Sequence, residues 1–315
     1  MDADIAPAVP TGSSIPRNGA GHSARRRGSR VGVVGWLYAA PTAAVVGLLF
    51  VLPIALATWM SLNDWPLIGA AEFNFPENYA RIPSDDLFIR GITFTFLYAL
   101  IVTVTLLGLA MVLALLVQQP RRGVGILRSA FFLPAVVGLT SSALLFYGMY
   151  SSSIGPLNPF LEATGLIERP IDWLGTPINA LLSTILMMTW RFAGFYMLIL
   201  LTGLHSIPLQ LYEAARIDGA GEWQMFRRVT LPLLRPSLAL CLVLIVTGAL
   251  LAFEQFYVLT RGGPDNSTVT IVMAMFRQAF SQFDLGRAAA MAIVVLFALV
   301  AINSIQLSVL RRQSS

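Results

Sequence analysis

Six apolar stretches, each long enough to cross a bilayer as a helix, constrain this chain of 315 residues more than anything else in it. They run at roughly 33–62, 92–117, 129–150, 178–204, 237–259 and 288–310. A hydrocarbon core about 30 Å thick takes about 20 helical residues, and within it each backbone N–H and C=O must find a partner inside the protein, which a helix supplies by itself. The expected fold class is therefore all-α, a polytopic membrane protein with six transmembrane helices forming one domain over 31–315. A mean hydropathy of +0.73 and a charged fraction of 12% agree, because too few polar residues remain to coat a water-soluble body of this size.

Residues 1–30 are rich in Pro, Gly, Ser and Ala and end in Arg25, Arg26, Arg27 and Arg30, a composition that cannot bury a core and predicts a disordered basic tail. The apolar run after it is too long for the core of a cleaved signal peptide, so the arginines are expected to orient an uncleaved first helix. Placing the N-terminus in the cytoplasm puts fourteen arginines, among them Arg121, Arg122, Arg128, Arg216, Arg227, Arg228, Arg235, Arg311 and Arg312, on that side. Six, namely Arg81, Arg90, Arg169, Arg261, Arg277 and Arg287, then fall on the other, together with acids such as Asp85, Asp86 and Asp172. That asymmetry satisfies the positive-inside rule and predicts a multi-pass cell membrane protein with both termini cytoplasmic. The outer loops near 63–90, 151–177 and 260–287 carry Trp65, Tyr79, Trp173 and several prolines, as short interfacial segments do.

The chain contains no lysine, so it has no Walker A loop of its own, no Schiff base and no SxxK nucleophile. Two histidines, His22 and His205, and one cysteine, Cys241, cannot build a Cys/His metal cluster. Cys241 lies in an apolar run and reads as helix packing. No inverted repeat of the kind found in many secondary transporters is visible, and Glu254 is the only carboxylate within the spans that an ion-coupled carrier could titrate. A membrane-embedded transferase would need a cluster of His, Asp or Glu at the membrane face, and none is present. The chain is thus expected to be no enzyme, with no metal and no nucleic-acid partner.

Between the fourth and fifth stretches, 205–236 form a polar, arginine-bearing insert. Ser206 is a plausible N-cap, with Pro208 in the first turn of a short helix. Leu211, Ala214, Ala215 and Asp218 recur at helical spacing, and Gly219 and Gly221 can end the helix in a left-handed turn. A second short helix would carry Trp223, Phe226 and Val229 and be stopped by Pro232 and Pro236. Small residues at Ala214, Ala215 and Gly219 let a partner's backbone come close, while Glu213 and Asp218 offer carboxylates to basic groups. An amphipathic helix lying in the headgroups is the plainer alternative.

Glu213, Ala214, Ala215, Gly219, Leu231 and Pro232, with Val229 in place of an isoleucine, match the spacing of the EAA loop of binding-protein-dependent ABC importers, and the chain resembles the permease subunit of that family. Phe253 to Pro264 and Phe73 to Tyr79 resemble its carbohydrate branch, of the maltose-transporter kind. The resemblance implies the type I ABC importer permease fold and a coupling helix at Glu213, Ala214, Ala215, Asp218 and Gly219. It implies a sugar site built from Arg191, Phe192, Phe195, Tyr196, Leu251, Glu254 and Gln255, although the maltose transporter has asparagines where this chain has Glu254 and Gln255. The partners implied are a second permease, most simply in a heterodimer, two ATP-binding subunits that carry ATP and Mg, an extracytoplasmic solute-binding protein, and membrane lipid.

Charges inside a membrane cost several kcal/mol and normally face a cavity or a partner. Arg191 with Trp190 and the aromatics after it suits a sugar, and an arginine could equally meet the phosphate of glycerol phosphate or a related polyol phosphate. The structural alternative is an Arg191–Glu254 ion pair with aromatics that only pack between helices. Asn303 and Gln306 are expected to bond between helices.

Overall fold

The computed structural model describes residues 38–312 apart from positions 67 and 120, so the tail expected over 1–30 lies outside the described residues. The chain divides into two compact units, up to Pro53 and from Ile54 onward. The described part of the first is helical throughout, with one wider π turn at Gly47–Val51, and it opens helix α1, Tyr38–Ser61.

In the second unit a two-stranded ribbon pairs β1 (Asn63–Asp64) with β2 (Glu72–Phe73), antiparallel, with Asn63 opposite Phe73. Then follow α2 (Glu77–Ala80), α3 (Asp86–Val117), α4 (Val124–Val136), α5 (Leu139–Met149), α6 (Leu157–Ala163) and α7 (Pro177–His205). The loop after α7 carries α8 (Leu209–Ile217) and α9 (Glu222–Leu233). The chain closes with α10 (Arg235–Leu250), α11 (Glu254–Leu259), α12 (Ile271–Phe280) and α13 (Leu285–Arg312). Among the described residues four helices are long and apolar enough to cross a membrane, and six spans result if each bent pair counts as one.

Helix α7 forms the centre of the second unit and packs against α3, α4 and α10. Its buried positions include Ala180, Ser183, Thr184, Ala193 and Gly194, and small residues of this kind let helices approach where lipid gives no hydrophobic drive to association. At Gly194 the approach is closest, since an added methyl would overlap the Phe131 carbonyl of α4. Tyr150 donates to the Ser183 carbonyl at 2.8 Å, so its hydroxyl is not left bare in the interior. Thr247 on α10 donates to Asn303 on α13 at 2.9 Å, an interhelical bond of the kind expected for Asn303.

Two expectations of continuous spans are corrected. The stretch 129–150 is two helices meeting at 95°, because Pro134 removes a backbone donor near the end of α4 and Val137 and Gly138 are extended. The stretch 237–259 stops at Leu250 and resumes only at Glu254. Both breaks free a carbonyl, and each finds a donor: Arg191 serves Val137, and Thr270 serves Ala252 at 2.6 Å. Helix α3 starts at Asp86, six residues earlier than the apolar run suggested, since Asp85 caps it by accepting from the Phe88 N–H at 2.9 Å.

The same Asp85 meets the Arg287 guanidinium at 3.2 Å, with both side chains largely shielded. Arg287 also donates to the Arg81 carbonyl at 2.9 Å, which ties the first loop to the head of α13. Asp85→Ala removes a cap and leaves a shielded guanidinium short of its partner. A loss of about 2 kcal/mol is expected, read as a lower thermal midpoint of the purified protein. Glu77→Gln, which breaks only the exposed Glu77–Arg81 pair, is the comparison that should leave the midpoint nearly unmoved.

Candidate functional site

A cavity of about 270 Å³ opens where α3, α5, α7 and the α10–α11 break converge. Tyr98, Phe192, Tyr196 and Phe253 give it aromatic walls, Leu139, Met188, Ile245 and Leu251 apolar ones, and Glu254 and Gln255 polar ones. Aromatic faces beside a few hydrogen-bonding groups fit the two-sided chemistry of a pyranose, whose C–H faces are apolar and whose rim is hydroxylated. Glu254 is the one charged residue in the lining. Its Oε2 accepts from Thr140 at 3.0 Å.

Of the residues expected to form the sugar site, the cavity gathers Phe192, Tyr196, Leu251, Glu254 and Gln255 and omits Arg191 and Phe195. Arg191 is buried, at 8% exposure. Its Nε and Nη2 both donate to the Val137 carbonyl, at 2.9 and 2.6 Å, and the guanidinium carbon sits 4.3 Å from the centre of the Phe192 ring. The alternative Arg191–Glu254 ion pair is absent too: among the described residues the side-chain pairs within 4.0 Å are Glu77–Arg81 and Asp85–Arg287. Phe195 is exposed and packs edge-on to Tyr196. Gln255 is turned inward, its amide nitrogen 3.4 Å from the Tyr98 hydroxyl.

Tyr98, Leu139, Met188 and Phe253 were missed in the sequence. Tyr98 alone carried a signal, a phenol inside a hydrophobic span that must find a partner when buried.

In the loop between α7 and α10, Glu213, Ala214, Asp218 and Gly219 are exposed. Helix α8 ends in a Schellman motif: Ala220 N–H bonds the Ala215 carbonyl at 2.9 Å, Gly219 N–H bonds Arg216 at 3.0 Å, and Gly219 has φ +78°. Tyr212 and Thr230 join hydroxyls at 3.0 Å and hold α8 to α9. Ser206 does not open α8. It bonds back to the Gly203 carbonyl at 2.7 Å and finishes α7, while Pro208 stands at the N-cap. Nor does Pro232 stop α9, because a π turn over Phe226–Thr230 widens the helix ahead of it, and the chain bends by 66° only at Leu234.

A second, larger cavity, about 990 Å³, lies between this loop and the end of α3. His205 meets the Gln118 carbonyl at 3.1 Å, and Arg128 donates to the Val117 carbonyl, so the last turn of α3 is held by side chains from α4 and α7.

Residues 110–315, which include α7, the loop and both halves of the fifth span, match the family described as the binding-protein-dependent transport system inner membrane component. The chain belongs to that family of ABC importer permeases. The trehalose/maltose transport system permease MalF of Thermococcus litoralis is 36% identical over 256 residues, 80% of this chain and 84% of the relative. The lactose transport permease LacF of Rhizobium radiobacter is 32% identical over 251 residues, 79% and 84% of the two chains. The probable ABC transporter permease YurN of Bacillus subtilis is 33% identical over 279 residues, 87% and 95%. In fold the permease superposes on a subunit of a bacterial ABC transporter that imports the acidic polysaccharide alginate, with a TM-score of 0.77 and 24% identity, covering 90% of this chain and 97% of that one. The permease is therefore a membrane-embedded ABC importer subunit of the type I fold.

Proposed function

We propose that this permease carries a neutral carbohydrate, received from an extracytoplasmic binding protein, and that ATP and Mg act on separate subunits docked at Glu213, Ala214, Ala215, Asp218 and Gly219. It works beside a second permease, with both termini in the cytoplasm. The observation that carries the substrate reading is the charge of the cavity: Glu254 lines it, and the only intramembrane arginine of the neighbourhood, Arg191, is bonded elsewhere. A phosphate or uronate entering there meets a carboxylate in the lining and no cation, and like charges repel. The polyol phosphate reading rested on a free Arg191 and loses its support. Relatives named for trehalose, maltose and lactose favour the same direction.

A separate ATPase is supported by the absence of lysine and by the exposed, small-residue end of α8, where a rigid partner could seat and push. Movement of that partner then rocks the spans, and the breaks beside the cavity are where such rocking would alter its walls. The complete complex with its binding protein, reconstituted in vesicles, is expected to accumulate radiolabelled maltose, trehalose or lactose when ATP is enclosed, and to leave glycerol 3-phosphate outside. Accumulation of glycerol 3-phosphate alone refutes the neutral-sugar reading, and uptake by the isolated chain on an ion gradient refutes the ATP-driven one.

A further inference from the structure

The cavity's one carboxylate is held from outside its own helix, by a residue that the helix break delivers. Thr140 stands in the first turn of α5, just after the 95° bend, and its hydroxyl donates to Glu254 Oε2 at 3.0 Å across 114 positions of sequence. Glu254 in turn opens α11, just after the second break. Had α4 run straight on into α5, the position of residue 140 would be set by α4 alone, and nothing would bring its hydroxyl to the head of α11. At the bend that Pro134 introduces, Arg191 brings two nitrogens to the carbonyl of Val137, three residues before Thr140. A planar guanidinium presents two parallel N–H groups to one oxygen and fixes direction as well as distance, which an ammonium cannot do.

We propose that Arg191 and Thr140 are positioning residues for the sugar cavity: Arg191 clamps the α4–α5 bend, and the clamped bend aims Thr140 at Glu254. One carboxylate oxygen is thereby committed to Thr140, and Oε1, which has no hydrogen bond among the described residues, remains for a sugar hydroxyl. This assignment rests on the neutral-sugar reading of the cavity. It also accounts for a charge in the middle of a span that lines no cavity, since an arginine satisfied by a broken helix's carbonyl and an aromatic face is tolerable there.

Two measurements on the full complex test it. For the clamp, spin labels on Ile126→Cys in α4 and Tyr147→Cys in α5, both exposed positions, in a Cys241→Ser background, report the distance across the bend by pulsed electron resonance. Arg191→Met is expected to broaden or displace that distribution, and an unchanged distribution overturns the clamp. For the aim, ATP-driven uptake of maltose, trehalose and lactose is measured against concentration. Thr140→Val should raise the half-saturating concentration about tenfold while the maximal rate changes less than about twofold, and Thr140→Ser should restore it. Arg191→Met should do the same, and the double variant should be no worse than either single one, because both act on one line. If Thr140→Val leaves half-saturation unchanged while Glu254→Gln raises it, the positioning role fails and the cavity reading survives. If Glu254→Gln changes nothing either, both fall. Should none of the three sugars accumulate with the wild type, the neutral-sugar reading fails and the spin labels alone decide the clamp.

Discussion

Gly219→Asp is expected to abolish ATP-driven uptake while the protein remains folded in the membrane. The position separates docking from folding unusually well. A Cβ at Gly219 meets nothing within 4 Å, so no internal contact is lost. The left-handed φ of +78° strains most side chains, but aspartate is among the few that visit this region. The local cost is therefore held to about 1 kcal/mol. In the proposed docking cleft the same change introduces bulk and an unpaired charge beside Asp218 and Glu213. An isolated charge buried at an interface costs about 3 kcal/mol or more, which is about a hundredfold in association. Uptake in vesicles, co-purification of the ATPase subunits and membrane abundance together check this, and normal uptake with bound ATPase would remove the docking role from α8.

Gly194→Ala is expected to act at the opposite end of the chain of causes, on the fold. The added methyl would occupy the space of the Phe131 carbonyl, and backbone cannot rotate away as a side chain can. Helices α4 and α7 would have to separate, and with them the Val137 carbonyl from Arg191. A cost of about 3 kcal/mol or more follows, seen as a large fall in membrane abundance and in thermal midpoint. Gly108→Ala in α3, where a Cβ meets nothing within 4 Å, supplies the control and should be harmless. Equal abundance of the two variants would mean that the α4–α7 approach is not as tight as described.

Much of the architecture was legible in the residues because the signals were local or imposed by lipid. Apolar run length announces a helix wherever water is absent, and the spacing from Glu213 to Pro232 lies within one loop. The hinge points were harder. Pro134 was visible, yet a proline inside an apolar run can be absorbed, as Pro232 is by a π turn, or can break the helix, as happens after Pro134. At the Pro134 break the exposed Val137 carbonyl takes its donor from Arg191, 54 positions on, a partner that no local signal shows.

The candidate cavity was half legible for a related reason. Phe192, Tyr196 and Glu254 could be singled out because polar or aromatic groups in a span need an explanation, but which way each points depends on a second helix. Arg191 is the sharpest case. Its charge marked it for function, and only packing showed that its guanidinium faces the Val137 carbonyl rather than the cavity. Tyr98 and Thr140 join the site from elements more than 100 residues away from Gln255 and Glu254.

The sequence by itself determined that this protein lives in lipid as a helical bundle, that it lacks the lysine an ATP-binding loop requires, and that it carries the importer family's loop. Those properties depend on composition and on neighbours along the chain. The tertiary structure alone decided where two spans break, which carbonyl takes Arg191, and which walls meet around Glu254. Each of these turns on a hydrogen bond between residues far apart in sequence, and a donor's partner exists only once the helices have packed.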